Sequence, residues 1–536
     1  MKRIPHTFTI VFALIVLAAV CTWLVPGGEF VREQVTVQDA DGSVSTREVV
    51  RGDSFHYVAS EPQTWQVFSA LFNGFCDKAD IVIFILVVGG AFWILNDSHA
   101  IDVGVMAFLR RIRRLNRFRL FQRLGVENVI IVLVMLMFSL FGALFGMSEE
   151  TIAFVAVFIP LAISMGYDSL VGLCMCYVAA HIGFAGAMLN PFTIGIAQGI
   201  AGLPLFSGLE YRVVCWLILT LLGIAFVLWY AHRVRRDPHR SPVYQLDEYW
   251  RNRTREQAES PVVYRSPRVA WVLYGLLSLV LIVCACLYPS TVVSVGGGKA
   301  ALPLLPILAV LFVPTGYFTL RKSVHFFILN LLLFTVGYLV VGVLGYGWYI
   351  REISALFLSM GILSGIANSR RADDIAKLFL AGCGDILSAA LVVGLASGII
   401  FILKDGHVID TILYGLTRSL AQTGEVASVG VMYVFQTLLN IVMPSGSAKA
   451  ALTMPIMAQF ADLIEVSRQT TVLAFQFGDG FTNMLTPTSG VLIGCLGVAR
   501  IPYGTWLKWA WKFILALIVV GFFLLLPTLF FHFPGF

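Results

Sequence analysis

The sequence predicts an all-α polytopic membrane protein with about 11 membrane crossings and two re-entrant hairpins, at about 20 residues a crossing. Composition is the first observation: 58% of the 536 residues are hydrophobic, 13% are charged, and the mean hydropathy is +0.85. Soluble domains carry about 25% charged residues, so that class is excluded. The second observation is that each half of the chain has two short polar stretches inside apolar sequence. Backbone breaks at membrane depth are tolerated only where they are buried or line a cavity.

The start of the chain sets the orientation. The apolar run within 1–28 is close to full span length and lacks a small-residue cleavage site, so we interpret it as a retained first helix. A polar stretch with a strand-like VTVQ segment follows, and then a span near 81–95. Arginine-rich loops stay in the cytoplasm, which predicts a cytoplasmic N-terminus. Seven arginines form this loop: Arg110, Arg111, Arg113, Arg114, Arg117, Arg119 and Arg123.

The first inverted repeat is predicted to occupy residues 1–232. Its two breaks are GMSEET, at the tip of an inward hairpin over 126–165, and NPFTIG, in a broken helix over 170–201. The next span leads to a second basic loop, which agrees with the orientation given by the arginines. Residues 233–268 are polar and are predicted to form a cytoplasmic linker.

The second half repeats this order with reversed sidedness. Central scaffold helices are predicted over 269–350 and a second inverted repeat over 351–536. The second repeat has an outward hairpin over 427–464 with the break PSGSAK, and a broken helix over 469–498 with the break TPTSGV. A final span then places the C-terminus on the periplasmic or extracellular side.

Matched prolines support the repeat. Pro160 and Pro455 follow the two hairpin tips, and Pro191 lies in the second break of the first half. Pro487 lies at the corresponding place in the second half, and both pairs are separated by about 296 residues. An inverted repeat with paired broken helices is typical of secondary transporters.

Helix breaks supply groups that bind ions. A helix that stops inside the membrane leaves unpaired N–H groups at one end and unpaired carbonyls at the other, and these ends attract anions and cations. The candidate substrate-binding residues on this ground are Asn190, Thr193, Ser445, Gly446, Ser447, Thr486, Thr488, Ser489 and Gly490. Their oxygens, those of Asn190 and Ser445 included, also suit a coupling Na+ ion, with H+ coupling as the alternative.

Ionisable side chains inside a membrane are costly unless they are paired or hydrated, and they mark functional sites. Glu149 and Glu150 lie at the first hairpin tip, and Lys449 follows the second tip. Because the repeat brings the tips toward the midplane, we expect Lys449 to face one of the glutamates. Asp479, with Asn483, is predicted to be the coupling-ion or proton-linked carboxylate, with helix capping as its alternative role.

Other functional classes are less well supported. His181 is expected to be a hydrogen-bonded packing residue, with a titrating role as the alternative. The nine cysteines lie mostly in apolar spans without metal-binding spacing, so no metal centre is expected. The chain has no HExxH, GxSxG or P-loop motif, which disfavours an enzyme or an ATP-driven pump. A passive channel is the competing class, but the sequence offers isolated polar tips in place of a continuous polar pore. No cofactor and no nucleic-acid partner are expected.

Several long segments carry a family resemblance: GMSEET, IPLAISMGYD, NPFTIGIAQGIAGLPLFSG, MPSGSAKAALTMPI, FQFGDGFTN and TPTSGVL. In these segments the chain resembles the YfcC family, within the DcuC-type C4-dicarboxylate carriers of the ion transporter superfamily. The resemblance implies a homodimer in the bacterial cytoplasmic (inner) membrane that works by an elevator motion. It implies a site at 146–150, 190–193, 445–447, 486–490 and Asp479, which adds Gly146 and Ser148 to the candidates.

The resemblance leaves the substrate open, because related branches carry C4-dicarboxylates, basic amino acids, aminobenzoyl-glutamate or short-chain fatty acids. Glu149 and Glu150 favour a positive charge, whereas Lys449 and the half-helix N-termini favour a carboxylate. An amino acid, zwitterionic or basic, therefore fits somewhat better than a diacid. Transport is expected to be driven by a Na+ or H+ gradient or by exchange.

An elevator requires a mobile part and a fixed part. We expect the hairpins and broken helices to form the mobile transport domain. The first helix and 269–367 are expected to form the scaffold, with surface helices at 98–123 and 410–421 linking the two parts.

Overall fold

The computed structural model describes residues 7–38, 44–51, 54–101, 103–104, 107, 125–259, 264–295, 298–420, 424–464, 466–531, 533 and 535. Helices dominate the described chain. Those of the first half are α1 (Thr7–Leu24), α2 (Gln66–Asp77), α3 (Ala79–Asp97), α4 (Val126–Phe145), α5 (Thr151–Ser164), α6 (Ser169–Leu173), α7 (Ala179–Ala185), α8 (Ile196–Ile200), α9 (Leu209–Arg236) and α10 (Glu248–Glu259). Those of the second half are α11 (Arg268–Leu287), α12 (Leu304–Lys322), α13 (Val324–Tyr346), α14 (Ile350–Ala367), α15 (Ala372–Asp405), α16 (Val408–Leu420), α17 (Glu425–Val442), α18 (Gly446–Leu463), α19 (Arg468–Asn483), α20 (Gly490–Ala499), α21 (Tyr503–Leu525) and α22 (Pro527–Phe530).

The membrane class predicted from composition is confirmed. In the described part of the chain, nine helices are long and apolar enough to cross a membrane, or ten if the bent helix α15 counts as one. They include α4 and α17, the first arms of the two predicted hairpins. The figure of about 11 crossings and the re-entrant course of the hairpins stay predictions.

Among the described residues, three small antiparallel strand pairs accompany the helices. They are β1 (Gly28–Glu29) with β4 (His56–Tyr57), β2 (Arg32–Gln38) with β3 (Val44–Val50), and β5 (Thr291–Val295) with β6 (Gly298–Leu302). The VTVQ segment lies at the end of β2, so its predicted strand character is confirmed. The fold is therefore helical with short antiparallel strand pairs, not strictly all-α.

The broken helices form the centre of the molecule. Every residue of 169–185 is buried, and so is every residue of 469–483. A π-helical segment, Cys174–Val178, joins α6 to α7, and a second one, Pro191–Gly195, leads into α8. Burial inside the protein is the condition under which irregular backbone is stable in a membrane.

The predicted order of elements occurs twice. A helix, a break, a helix, a broken helix and a long helix follow one another from α4 to α9, and again from α17 to α21. Around this core, α1, α2 and α3 pack against α15, and α14 packs against α3. The opposite sidedness of the two halves stays a prediction.

The linker between the halves is docked on the core. The backbone N–H of Ser169 donates to Asp247 Oδ2 at 2.9 Å, and Trp250 Nε1 donates to the carbonyl of Ala499 at 3.3 Å. The linker therefore contacts the first broken helix and the end of α20 together. The helix α9 continues to Arg236, and the linker bounds of 233–268 stay a prediction.

Two predicted segments of the second half can be compared with the helices of the structure. The span expected near 385–403 belongs to α15, which begins earlier, at Ala372. Asp373 and Asp374 lie in the first turn of α15, where the helix dipole favours acidic residues. The amphipathic stretch at 410–421 falls largely in α16, as predicted. The arginine cluster at 110–123 lies outside the described residues.

Candidate functional site

The four polar interruptions meet around one cavity. The backbone is non-helical at 146–150 (the first break), 186–190 (the second break), 443–445 (the third break) and 484–489 (the fourth break). The second break lies earlier than the predicted NPFTIG segment, because Pro191–Gly195 forms a π-helix. The cavity has a volume of ≈ 180 Å³. Its wall is formed by Lys78, Asp80, Ile81, Gly146, Ser148, Glu149, Glu150, Phe184, Phe192, Thr193, Tyr349, Val393, Ala396, Ser397, Ile400, Val442, Pro444, Ser445, Gly446, Ser447, Asn483, Thr488, Ser489, Gly490 and Val491. Residues in or beside every break therefore contribute to the wall.

The first break places two carboxylates on the cavity wall. Its backbone turns at Gly146, whose φ of +71° is the left-handed conformation that glycine adopts without strain. The N–H of Ser148 donates to Glu150 Oε2 at 3.0 Å. Glu150 stands at the N-cap of α5, where the helix dipole favours an acidic group. Glu149 and Glu150 are both half-buried.

Further charged residues line the same cavity. Lys78 and Asp80 come from the junction of α2 and α3, and Glu149 lies within electrostatic reach of both, as well as of Glu150. Lys78 Nζ is already ion-paired with Asp77 Oδ2 at 2.9 Å. The described lining thus holds three carboxylates and one ammonium, and that ammonium has its own partner.

The segment that follows the second break contacts the tip of the second hairpin. Asn190 Oδ1 accepts a hydrogen bond from the N–H of Phe192 at 2.9 Å. Thr193 is buried and lines the cavity, and its Oγ1 has no hydrogen-bond partner among the described residues. A Cβ atom on Gly446 would lie 2.7 Å from Thr193 Cγ2, so the tip of the second hairpin contacts the first broken helix closely.

Two half-helices begin at the cavity wall. α18 begins at Gly446 and α20 at Gly490, and both glycines line the cavity. Ser489 Oγ caps α20 by accepting from the N–H of Leu492 at 3.3 Å. Ser445 and Ser447 flank the start of α18. Backbone N–H groups of a first helical turn have no partner within the helix and attract anions.

The fourth break is braced by its threonines. Thr486 Oγ1 and Thr488 Oγ1 lie 2.7 Å apart, and each donates to the carbonyl of Ile441, at 3.3 Å and 2.6 Å. These bonds tie the break to the end of α17. Thr488 lines the cavity, whereas Thr486 lies behind it.

The partner of Lys449 differs from the expected one. Lys449 Nζ lies 2.9 Å from Asp479 Oδ1, and both side chains are fully buried. The side chain of Lys449 leaves the first turn of α18 between α17 and α19, away from the cavity wall, so the expected pairing with Glu149 or Glu150 is wrong. Asp479 lies inside α19, so its alternative role as a helix cap is excluded as well.

His181 packs as the sequence predicted. It is buried, its Nδ1 lies 3.1 Å from the carbonyl of Tyr177, and its Nε2 lies 3.4 Å from Ser148 Oγ. Among the residues that the structure describes, no group of three or more His, Cys, Asp or Glu side chains could hold a metal ion.

Comparison with known families decides the class. The family described as "C4-dicarboxylate anaerobic carrier", DcuC, matches residues 4–529. The chain belongs to the DcuC family. The predicted family resemblance is therefore confirmed.

Relatives of this DcuC-family chain cover almost all of it. It is 32% identical to the "Putative basic amino acid antiporter YfcC" of Escherichia coli strain K12, over 94% of this chain and 92% of that protein. It is 24% identical to an "Uncharacterized protein" of Haemophilus influenzae, over 96% and 95%.

Two solved transporters also align with the DcuC-family chain. They are the YdaH transporter of Alcanivorax borkumensis, with 14% identity, a TM-score of 0.38 and coverage of 99% and 100%, and MtrF of Neisseria gonorrhoeae, with 15% identity, a TM-score of 0.39 and coverage of 98% and 95%.

Twelve of the sixteen predicted site residues of this DcuC-family chain line the cavity. They are Gly146, Ser148, Glu149, Glu150, Thr193, Ser445, Gly446, Ser447, Asn483, Thr488, Ser489 and Gly490. Asn190, Thr486, Lys449 and Asp479 are buried and are not part of the wall.

Sequence reasoning missed four polar residues of the wall, namely Lys78, Asp80, Tyr349 and Ser397. Lys78 and Asp80 left a signal, because they interrupt apolar sequence in the segment CDKAD.

Proposed function

We propose that this protein is a secondary active transporter of small carboxylate-bearing solutes, with amino acids, basic ones included, as its best-fitting substrates. The observation that carries the proposal is one cavity whose wall includes residues in or beside all four helix breaks, with carboxylates at the first break and helix starts at the third and fourth. Membership of a carrier family supports transport over catalysis.

The carboxylates support a substrate with a positive group. Glu149, Glu150 and Asp80 line the cavity. Among the described lining residues the ammonium group is that of Lys78, and it is paired with Asp77. The unbalanced negative charge lies in a half-buried wall, where water screens it less than at a free surface. A cationic substrate group would replace part of that lost hydration.

The helix starts support a substrate with a carboxylate. The first turns of α18 and α20 offer backbone N–H groups, and Ser445, Ser447 and Ser489 add hydroxyls beside them. The same cavity therefore offers complements to both ends of an amino acid. A C4-dicarboxylate, which the family description names, would leave the three carboxylates without a complement.

The name of the Escherichia coli relative supports the same substrate class, since that protein is described as a basic amino acid antiporter. Transport is then driven by a Na+ or H+ gradient or by exchange. We further propose an elevator motion of the hairpins and broken helices, a homodimer, and residence in the bacterial inner membrane with a cytoplasmic N-terminus and a periplasmic C-terminus.

A passive channel for small organic ions is the competing proposal. Counterflow separates the two, because a carrier exchanges labelled for unlabelled substrate across a vesicle membrane and saturates. A channel does neither. Exchange that is absent at every substrate concentration would favour the channel.

The substrate is tested by thermal shift of the purified protein with basic amino acids, neutral amino acids, C4-diacids and short-chain acids, each in sodium and in choline chloride. A ligand that binds the native state raises the Tm. We expect the largest rise with a basic amino acid, and the Glu149→Gln variant is expected to lose it. A rise with diacids and with no amino acid would overturn the proposed substrate class.

A further inference from the structure

The ion pair between Lys449 and Asp479 lies in the centre of the protein. Both side chains are fully buried, and Nζ is 2.9 Å from Asp479 Oδ1. A buried pair of charges loses its hydration, so it is a weak contributor to stability compared with apolar residues of the same volume. The pair joins α18, in the second hairpin, to α19, in the second broken helix. Since stability alone does not explain the pair, we looked for a functional role.

The surroundings of the ammonium are those of a cation site. Besides the Asp479 carboxylate, Nζ has the amide oxygen of Asn440 at 3.2 Å and the carbonyl oxygen of Gln436 at 3.4 Å. The ring of Phe475 lies 5.1 Å from Nζ and adds a cation–π contact. A carboxylate, an amide and a backbone carbonyl are the oxygen ligands that hard cations bind in proteins.

The oxygen ligands are held in place by further bonds. Asn440 Nδ2 donates to the carbonyl of Asp479 and to Asn483 Oδ1, both at 3.0 Å. The orientation of Asn440 is thereby fixed with its oxygen toward Lys449. Asn483 itself lines the substrate cavity.

The pair also lies directly behind the second hairpin tip. A Cβ atom on Gly446 would be 3.1 Å from Asp479 Oδ2, and Gly446 lines the cavity. The charge on Asp479 is therefore close to the substrate site without being part of its wall.

We propose that the Lys449 ammonium is a built-in cation, which occupies the position that a coupling Na+ ion would take beside Asp479. The charge of Asp479 is balanced by the chain itself, so the transport domain needs no Na+ at this position to cross the membrane. This inference rests on the proposed function, because it concerns the coupling of the same carrier. It leaves an H+ gradient or substrate exchange as the driving force.

The test compares two variants that both remove the ammonium. Lys449→Ala removes Nζ and opens space beside the three oxygens. In Lys449→Met the terminal methyl fills much of that space, so it is the matched control. The Tm of each purified protein is measured in NaCl and in choline chloride at equal ionic strength, without substrate.

We expect the Tm of the wild-type protein to be equal in the two salts. Both variants should have a lower Tm in choline, because Asp479 is left as a buried charge without a partner. Na+ should raise the Tm of Lys449→Ala by about 2–4 °C in a saturable manner. It should leave the Tm of Lys449→Met unchanged.

Two results would overturn the proposal. The first is a saturable, Na+-specific rise in the Tm of the wild-type protein that is lost in the double variant Lys449→Met, Asp479→Asn. The second is the absence of any Na+ effect on Lys449→Ala, which would make the pair purely structural.

If Lys449→Ala folds poorly in choline chloride, the yield of folded protein in each salt is measured in place of the Tm. Recovery in NaCl and not in choline supports the proposal, whereas failure in both salts, with Lys449→Met folded, overturns it. No substrate enters these measurements, so their failure is distinguishable from failure of the proposed substrate class.

Discussion

A Cβ atom on Gly146 would lie 2.5 Å from Asn190 Oδ1. The first break can therefore come this close to the second break only because residue 146 has no side chain. Asn190 Oδ1 is also the acceptor that caps the helical segment after the second break. This contact joins the two breaks of the first half at one side of the cavity.

Gly146→Ala should lower both stability and ligand binding. The left-handed backbone adds about 1–2 kcal/mol of strain to any residue with a Cβ, and the new methyl group must displace Asn190. Gly347→Ala is the matched control, because φ is +64° there and no atom lies within 4 Å of the added Cβ. Tm measurements that show equal losses for the two variants would contradict the importance of the contact with Asn190.

Glu149→Gln and Glu150→Gln should weaken the binding of a basic amino acid by about 10- to 100-fold each, since a hydrogen bond to a charged group contributes about 1.5–3 kcal/mol. Binding of a neutral amino acid should change far less. Titration calorimetry measures both. Asp97→Asn, which removes a carboxylate paired with Arg370 away from the cavity, is the control. Uniform loss for all substrates in the glutamate variants would indicate a structural role.

Gly183→Ala should destabilise the protein, because the added Cβ would overlap the carbonyl oxygen of Ser139 in α4. Overpacking of this kind costs about 1–3 kcal/mol. Gly275→Ala, inside α11, meets no atom within 4 Å and should be neutral or stabilising by up to about 1 kcal/mol. Thermal unfolding of the two variants measures the difference. A stable Gly183→Ala protein would contradict the close contact of α4 with α7.

The docked linker should make stability depend on pH. Burial raises the pKa of Asp247 to about 6, although its hydrogen bonds with Ser169 lower it; the nearby Asp168 adds to the rise and Arg251 opposes it. The folded protein therefore holds a proton on Asp247 more tightly than the unfolded chain. This contribution to stability is complete below about pH 4 and is lost as the pH rises through about 6, an effect of about 3 kcal/mol.

Asp247→Asn tests this dependence, because asparagine is neutral and keeps an oxygen for the N–H of Ser169. We expect the fall in Tm between pH 5 and pH 7 to become smaller in this variant. Glu248→Gln, at an exposed position of the same linker, is the matched control. A pH profile of Asp247→Asn identical to that of the wild type would contradict the role of the buried carboxylate.

Much of the cavity wall could be predicted, because helix breaks depend on local sequence. Glycine, proline and hydroxyl residues inside apolar sequence mark helix breaks, and all four predicted breaks have residues on or beside the cavity wall. Glu149 and Glu150 were found because charge inside a membrane segment is costly. The same reasoning identified Lys449 and Asp479 as candidate residues, although it did not predict their ion pair.

The contacts that the sequence did not predict depend on tertiary packing. The sequence shows that Lys449 follows a hairpin tip, but its partner depends on the side-chain direction one turn into α18, which brings it to Asp479. Lys78 and Asp80 lie far from the breaks in sequence and reach the cavity because α3 packs against α15. Periodicity predicts a helix at each place and does not say which helices are neighbours.

The docked linker joins the two halves of the chain in a second, non-covalent way. Its contacts reach Ser169 in the first half and Ala499 in the second, on either side of the segment that connects the repeats. A polypeptide severed just after α10 would keep both contacts. We therefore expect two separately synthesised halves, divided at that point, to associate into one carrier.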